Sequence, residues 1–328
     1  MYIREFRLSD LKQLIGLWND CAAAGEILCV PMDEEYFSRK FLPLDESRLY
    51  FTAEENGETL GFCLGSVKTE FLRGETPLNT PAYLSMLLVR RDRRGEGIGS
   101  ALLSAFENRA KALNKSRAEI SSLSPVNLDW LIPGTPGHGH NNMPGLDTRS
   151  MAYPFLEKRG YVSYVGEVAM YIDLSTYEKA PRVEEARARL RAEGITAGLY
   201  DVSENCSWDG MCDRVGSEYW RKVLKDETSS PAPRPILAAR TNGQIVGFTG
   251  PADVQPNGRG WFTGICTDPL YEQRGIATVL FNDLMGEFIK IGAKYTSLFT
   301  GTENHAQRLY LKTGFRPVRR FDMMRKEL

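Results

Sequence analysis

No run of this chain reaches the roughly 18 consecutive apolar residues that a membrane-spanning helix needs. The opening, Met1-Tyr2-Ile3-Arg4-Glu5-Phe6, reads as a strand rather than as a signal peptide. Of six cysteines (Cys21, Cys29, Cys63, Cys206, Cys212, Cys266), none forms a Cys-x-x-Cys pair, and most sit among apolar neighbours as small core residues. That usage points to a reducing compartment, and the cytosol is the expected location. Excess charge is also missing. The formal net charge is −1 with no long basic run, which argues against nucleic acid as a partner, and the short patch Arg90–Arg94 is the only local exception. Hydrophobic residues make up 42% and charged residues 25%, ordinary globular values that argue against disorder. With 328 residues there is material for two domains, each with its own core.

The most telling stretch is Arg94-Gly95-Glu96-Gly97-Ile98-Gly99-Ser100. An apolar run, Leu84 to Val89, leads into it. An amphipathic helical pattern leaves it, with Ile98, Leu102, Leu103, Phe106, Ala110 and Leu113 on one face. Strand, glycine-rich turn and helix start make a phosphate-binding geometry. Glycine admits close backbone approach, and the first N–H groups of a helix lack internal partners and sit at the positive end of its dipole. The loop lacks the Lys-Ser or Lys-Thr of a Walker loop and the third glycine of a Rossmann fingerprint, which Ser100 replaces. A turn whose glycines serve only tight packing is the competing reading.

Three landmarks occur twice in the same order. Asn56-Gly57 and Asn242-Gly243 each join two strand-like runs, a hairpin signature because both turn positions tolerate positive φ. The glycine-rich loop returns as Glu272-Gln273-Arg274-Gly275-Ile276-Ala277 before a second apolar-periodic helix. Phe155-Leu156-Glu157-Lys158-Arg159-Gly160-Tyr161 matches Leu309-Tyr310-Leu311-Lys312-Thr313-Gly314-Phe315, a helix end with basic residues and a terminal glycine. The period is too long for a solenoid, so the chain reads as two copies of one domain. The charged helical segment Val183–Glu193 precedes the first strand of the second copy. The expected domains are therefore 1–180, carrying a long loop at 125–147, and 181–328.

The order of hairpin, strand, R-x-x-G-x-G/A loop, helix, strand and helix ending in Gly-Phe resembles the GNAT superfamily of N-acyltransferases over nearly all of both halves. Asn304-His305-Ala306-Gln307-Arg308-Leu309-Tyr310-Leu311-Lys312-Thr313-Gly314-Phe315 is similar to that family's closing motif. The resemblance implies an α+β fold (an α/β sandwich): two GNAT domains, each a mixed, mostly antiparallel sheet flanked by helices and opened at a central strand. It also implies acetyl-CoA as acyl donor and transfer of an acetyl or short acyl group to a primary amine. Neutral charge and the long loop favour a small-molecule amine. A protein or peptide N-acetyltransferase, and a CoA-binding sensor or scaffold with one or both lobes inactive, are the alternatives.

By the same resemblance, acetyl-CoA is expected along Leu87, Val89, Arg94, Gly95, Gly97, Ile98, Gly99 and Ser100 in the first copy. The second-copy equivalents are Ile265, Thr267, Arg274, Gly275, Ile276 and Ala277. Departure of CoA thiolate needs a proton. Tyr310 stands at the family's acid position, whereas Leu156 stands there in the first copy with Tyr153 one turn earlier. Asn304 is expected to hydrogen-bond cofactor or water. The catalytic expectations are thus Tyr310, Asn304 and Tyr153, with the C-terminal lobe favoured because a proton donor is harder to replace than a phosphate contact. Neither Glu119 nor Glu303 is assigned as base, and a water relay fits best.

The copies differ in length. Gly97 and Gly160 stand 63 residues apart and Gly275 and Gly314 only 39, so the first copy carries 24 more residues, placed at Pro125–Asp147. A loop this long is expected to line the substrate side. It holds His138 and His140, but His-x-His without a third clear ligand gives no metal site, and no metal is expected. The sequence sets no oligomeric state.

Overall fold

Residues 1–328 are all described in the computed structural model, and they divide into two units. The first comprises Met1–Ala169, Gly301–Glu303 and Val318–Leu328; the second comprises Met170–Thr300 and Asn304–Pro317.

The first unit starts with strand β1 (Tyr2–Glu5) and helices α1 (Leu11–Ala23) and α2 (Glu34–Phe41). Helix α1 buries Leu14, Trp18 and Cys21, spaced three and four apart on one face. The Asp33 carboxylate accepts the Tyr36 N–H and so caps α2. A hairpin of β2 (Arg48–Glu55) and β3 (Glu58–Val67) follows, turning at Asn56 and Gly57 with φ of 54° and 81°, as an Asn-Gly turn requires.

Strand β4 (Ala82–Val89) leads to α3 (Ile98–Ala112) and β5 (Arg117–Ile120). β4 pairs antiparallel with β3 along its length, but its parallel pairing with β5 is confined to Ala82 and Tyr83. Its register against β3 shifts between Met86 and Leu84, leaving Ser85 as an extra residue. Such a bulge bends a strand and raises its twist, and here it marks where β4 and β5 part.

The long loop is built structure. A two-strand ribbon of β6 (Trp130–Leu131) and β7 (Gly139–His140) precedes β8 (Leu146–Asp147), and Trp130 is fully buried with its indole N–H on the Asn142 carbonyl at 3.0 Å. Helix α4 (Ala152–Glu157) and strand β9 (Val162–Asp173) end the first copy. Apolar side chains fill both sheet faces. Trp18, Phe37, Phe62, Met86 and Leu88 pack with α1 and α2, while Leu84, Ile98, Leu102, Phe106 and Leu156 pack with α3 and α4.

The second unit repeats the plan behind an added helix, α5 (Arg182–Ala192), followed by Gly194 at φ 75°. Then come β10 (Thr196–Leu199), α6 (Asp209–Val215), α7 (Glu218–Thr228) and a hairpin of β11 (Leu237–Thr241) and β12 (Gln244–Gly250). Its turn at Asn242 and Gly243 has φ of 50° and 69°, matching the first hairpin. The short strands β13 (Asp253–Val254), β14 (Arg259–Trp261) and β15 (Gly264–Thr267) precede α8 (Ile276–Lys290). β16 (Tyr295–Gly301), α9 (Gln307–Thr313) and β17 (Arg316–Glu327) complete the chain. The opening recurs: β15 pairs with β12, while β14 pairs in parallel with β16.

The units do not divide at residue 180. Val318–Leu328 of β17 belong to the first unit, where they pair antiparallel with β5 and with β8. Met170–Asp173 of β9 belong to the second, whose strand order runs β9-β16-β14-β13. The single cut expected from the repeat assumed that each copy keeps its own last strand.

Candidate active site

In the first unit, Arg90 donates its backbone N–H to the Leu60 carbonyl on β3. Backbone groups alternate along a strand, so those of Val89 and Leu87 turn away from β3 toward the gap that β5 leaves. Two findings agree: Val89 pairs with Gly61, and its carbonyl accepts the Arg94 Nε at 3.1 Å rather than a strand bond. The gap thus presents unpaired main-chain groups along a track leading to the glycine loop.

The loop takes its shape from two left-handed residues, Gly95 (φ 87°) and Gly97 (φ 83°). Gly97 caps α3 without any side-chain hydrogen bond, so the first N–H groups of that helix face outward. A cavity of about 480 Å³ runs along this track. Its walls include Leu84 through Val89, Arg94, Gly95, Gly97, Ile98, Gly99 and Ser100, so every cofactor position expected in the first copy lies on one cavity.

Three further side chains stand beside these positions, the last of them from the loop expected to line the substrate side. Glu26 grips Arg94 through both carboxylate oxygens at 3.1 and 2.7 Å and also pairs with Arg91 at 2.9 Å. The Arg94 hydrogen bonds hold the Glu26 carboxyl at about 2, far below its usual range. Arg159, from the turn after α4, bonds the Ser100 hydroxyl and stacks on Phe155 at 3.5 Å, which places an additional cation beside the start of α3. Asp147 lines the cavity from the long loop and is held by Arg319 of β17 in a bidentate pair at 2.9 and 2.7 Å.

The second loop keeps the backbone and changes the side chains. Gly275 (φ 95°) caps α8, and Gln273 (φ 61°) holds the left-handed place that Gly95 fills in the first copy. A side chain in that region is strained by about 1–2 kcal/mol. Ile265 and Thr267 lie on β15, and Ile276 and Ala277 start α8. Arg274 pairs with Glu193 at 2.9 Å, and a Cβ on Gly275 would lie 3.3 Å from Ala186 of α5. On β15 the Trp220 ring presses against Gly264, 2.8 Å from where a Cβ would stand.

The expected catalytic residues fall in the two units as the repeat implies. Tyr310 and Asn304 lie in the second unit and Tyr153 in the first. Tyr310 is buried against Phe281 and Phe315, at 5.0 and 6.1 Å between ring centres, and burial pushes its phenol up to about 12. Asn304 accepts the Ala306 N–H at 2.9 Å, a local turn contact. Tyr153 donates its hydroxyl to Asp322 at 2.6 Å, and that bond raises its phenol to about 12. Glu119 is occupied by Arg117 at 2.7 Å and Tyr164 at 3.1 Å. No group of three or more His, Cys, Asp or Glu side chains is placed to hold a metal ion, and no helix is long and apolar enough to cross a membrane.

An opened central strand leading to a left-handed glycine loop at a helix start is the arrangement that the GNAT resemblance implies. The family model of the acetyltransferase (GNAT) family matches the chain over residues 13–128 and again over 203–315. The protein belongs to that family, as a tandem member with two copies in one chain. No curated protein matches it significantly.

Solved structures agree on the fold. A GCN5-related glucosamine N-acetyltransferase region of a fungal multi-domain GH3 β-N-acetylglucosaminidase superposes with a TM-score of 0.71 at 15% identity. That match covers 99% of this chain, which spans 38% of that one. A GCN5-related N-acetyltransferase from Sphaerobacter thermophilus gives 0.63 at 19% identity, covering 99% and 95%. A tandem GNAT protein from the clavulanic acid biosynthesis pathway gives 0.56 at 15% identity, covering 99% and 98%. At these identities the likeness speaks for the fold alone.

Proposed function

We propose that the first unit binds acetyl-CoA or a related acyl-CoA and transfers the acyl group to a primary amine, the body of which is a small molecule. One observation carries this: a single cavity joins the α3 helix start to the unpaired track of β4. The pyrophosphate would lie on the N–H groups after Gly97, with Arg159 beside it. The thioester would lie along Leu87 and Val89, where outward N–H groups polarise its carbonyl and steady the oxyanion. The amine nitrogen bonds to the carbonyl carbon, and the C–S bond breaks. One amine proton is lost, thiolate gains one, and the products are an amide and free CoA.

Proton traffic favours water over either tyrosine. Burial raises the Tyr310 phenol and the Asp322 bond raises that of Tyr153, and both shifts make a weaker proton donor to a departing thiolate. The ammonium formed on attack is a far stronger acid, and a water relay can pass its proton to sulfur. The cavity carboxylates Glu26 and Asp147 are both engaged by arginine, which also fits a relay. The family resemblance keeps a second reading, with the C-terminal lobe active through Tyr310 and Asn304 and CoA held at Arg274–Ala277. The buried ring of Tyr310 and the pressure of Trp220 on Gly264 weigh against it.

Calorimetry with CoA, paired with acetyl-CoA consumption over an amine panel, tests the proposal. Gly97→Glu forces a side chain onto a left-handed residue and sets a carboxylate at the phosphate site. It is expected to remove CoA binding, or to halve the stoichiometry if both lobes bind. Unchanged stoichiometry and affinity would exclude the first loop.

A further inference from the structure

The cavity does not stop at the β4–β5 gap. It continues onto the sheet face covered by α1, where Trp18, Cys29, Met86, Leu88, Leu128 and Met143 line it. These come from α1, the turn after it, the alternate face of β4 and the long loop. The indole N–H among them is already satisfied, since Trp18 donates it to the Val30 carbonyl at 2.8 Å. Burial keeps the Cys29 thiol protonated, pushed up to about 12. The carboxylates on the same cavity are both paired, Glu26 with Arg94 and Asp147 with Arg319, and the Ser85 hydroxyl that also lines it meets the Ser124 hydroxyl at 3.3 Å. A cationic or multiply polar group entering here would lose water and meet no unpaired carboxylate, which costs several kcal/mol.

An acetyl group brings a single methyl to such a chamber. Apolar walls facing empty space forgo their contacts, and filling them is favourable in proportion to the area covered. We infer that the reacting end of this site takes an apolar group of several carbons. The inference rests on the acyl-CoA reading above. The chamber is continuous with the cofactor track, which assigns that group to the acyl chain of the donor. The apolar body of the acceptor amine is the other source of the same chemistry.

The test uses the full chain. Affinities for CoA, acetyl-, butyryl-, hexanoyl- and octanoyl-CoA are measured by calorimetry. In a second arm, turnover with acetyl-CoA is followed over alkylamines of rising length and over a polycationic amine. The expected result is affinity rising about three- to fourfold per added methylene until the chamber is full. A flat acyl series with alkylamine KM falling with length would place the apolar group on the acceptor and still support the chamber. Two variants check the location. Met143→Trp, which fills the chamber, should bring the hexanoyl-to-acetyl affinity ratio toward one, and Met86→Ala should move the preferred length upward. Flat responses in both arms, or preference for the polycationic amine, overturn the inference while CoA itself still binds. Absence of CoA binding overturns the underlying reading instead.

Discussion

Glu26 is the residue with the largest leverage on the site. Its carboxylate occupies the guanidinium of Arg94, a cation of the glycine loop that lines the cavity. Glu26→Gln removes a negative charge from the proposed phosphate site and frees that guanidinium. CoA affinity is expected to rise about fivefold at low salt, in line with one charge-assisted hydrogen bond, with the gain shrinking as salt is added. The same pair gives a pH signature. A carboxyl depressed in the folded state contributes stability that is fully present above its unfolded pKa, ~4.3, and is lost as pH falls toward about 2. Wild type should therefore outlast Glu26→Gln in thermal melts at pH 7, with the two converging near pH 2. Equal melting at pH 7 together with unchanged CoA affinity would show that the pair is ornamental. Nothing in the sequence announced it: Glu26 sits in a turn without a motif, 68 positions from Arg94. The glycines were legible for the opposite reason, because left-handed φ at Gly95 and Gly97 is a local demand that only a few residue types meet. Arg159 was visible only as a basic helix end, since its contact with Ser100 needs α4 laid beside α3.

Among the elements, the long loop and β17 explain each other. Asp147 pairs with Arg319, Phe321 meets the Trp130 ring at 5.1 Å, and Gly145 lies so close to the Asp322 backbone that a Cβ would come within 2.6 Å of its carbonyl. The loop is therefore a fixed wall of the cavity rather than a mobile cover. Arg319→Ala leaves a mostly buried carboxylate without its cation, and a loss of up to about 3 kcal/mol follows. Limited proteolysis should then cut within 133–145 well before wild type is cut. The double change Arg319→Gln with Asp147→Asn should cost less than the sum of the singles, because neither charge is then stranded. Wild-type protection in Arg319→Ala would refute the clamp. Hairpins, glycine loop and helix faces could be read from periodicity and turn chemistry, because those signals are local. The partner of β17 could not: β9 and β17 are both 12-residue strands that follow a Gly-aromatic pair, and alternation says which side faces the core, not which strand lies alongside.

For the whole molecule, the repeat in the sequence misleads about independence. A chain cut after Ala169 keeps every cavity residue named above and loses the strand beside β5. An unpaired central edge is sticky, so the fragment is expected to aggregate, and a peptide covering 316–328 should restore solubility and CoA binding when added during refolding. A soluble, CoA-binding fragment without the peptide would show that the strand is dispensable. The arrangement also bears on how the protein is made. Domains ordinarily fold as they leave the ribosome, the N-terminal one first. Here the strand that completes the first unit is translated about 150 residues after Ala169, on the order of 10–30 s later at usual elongation rates. Through that interval the nascent first half waits with an open sheet edge, and it can be finished only after the second half has been made.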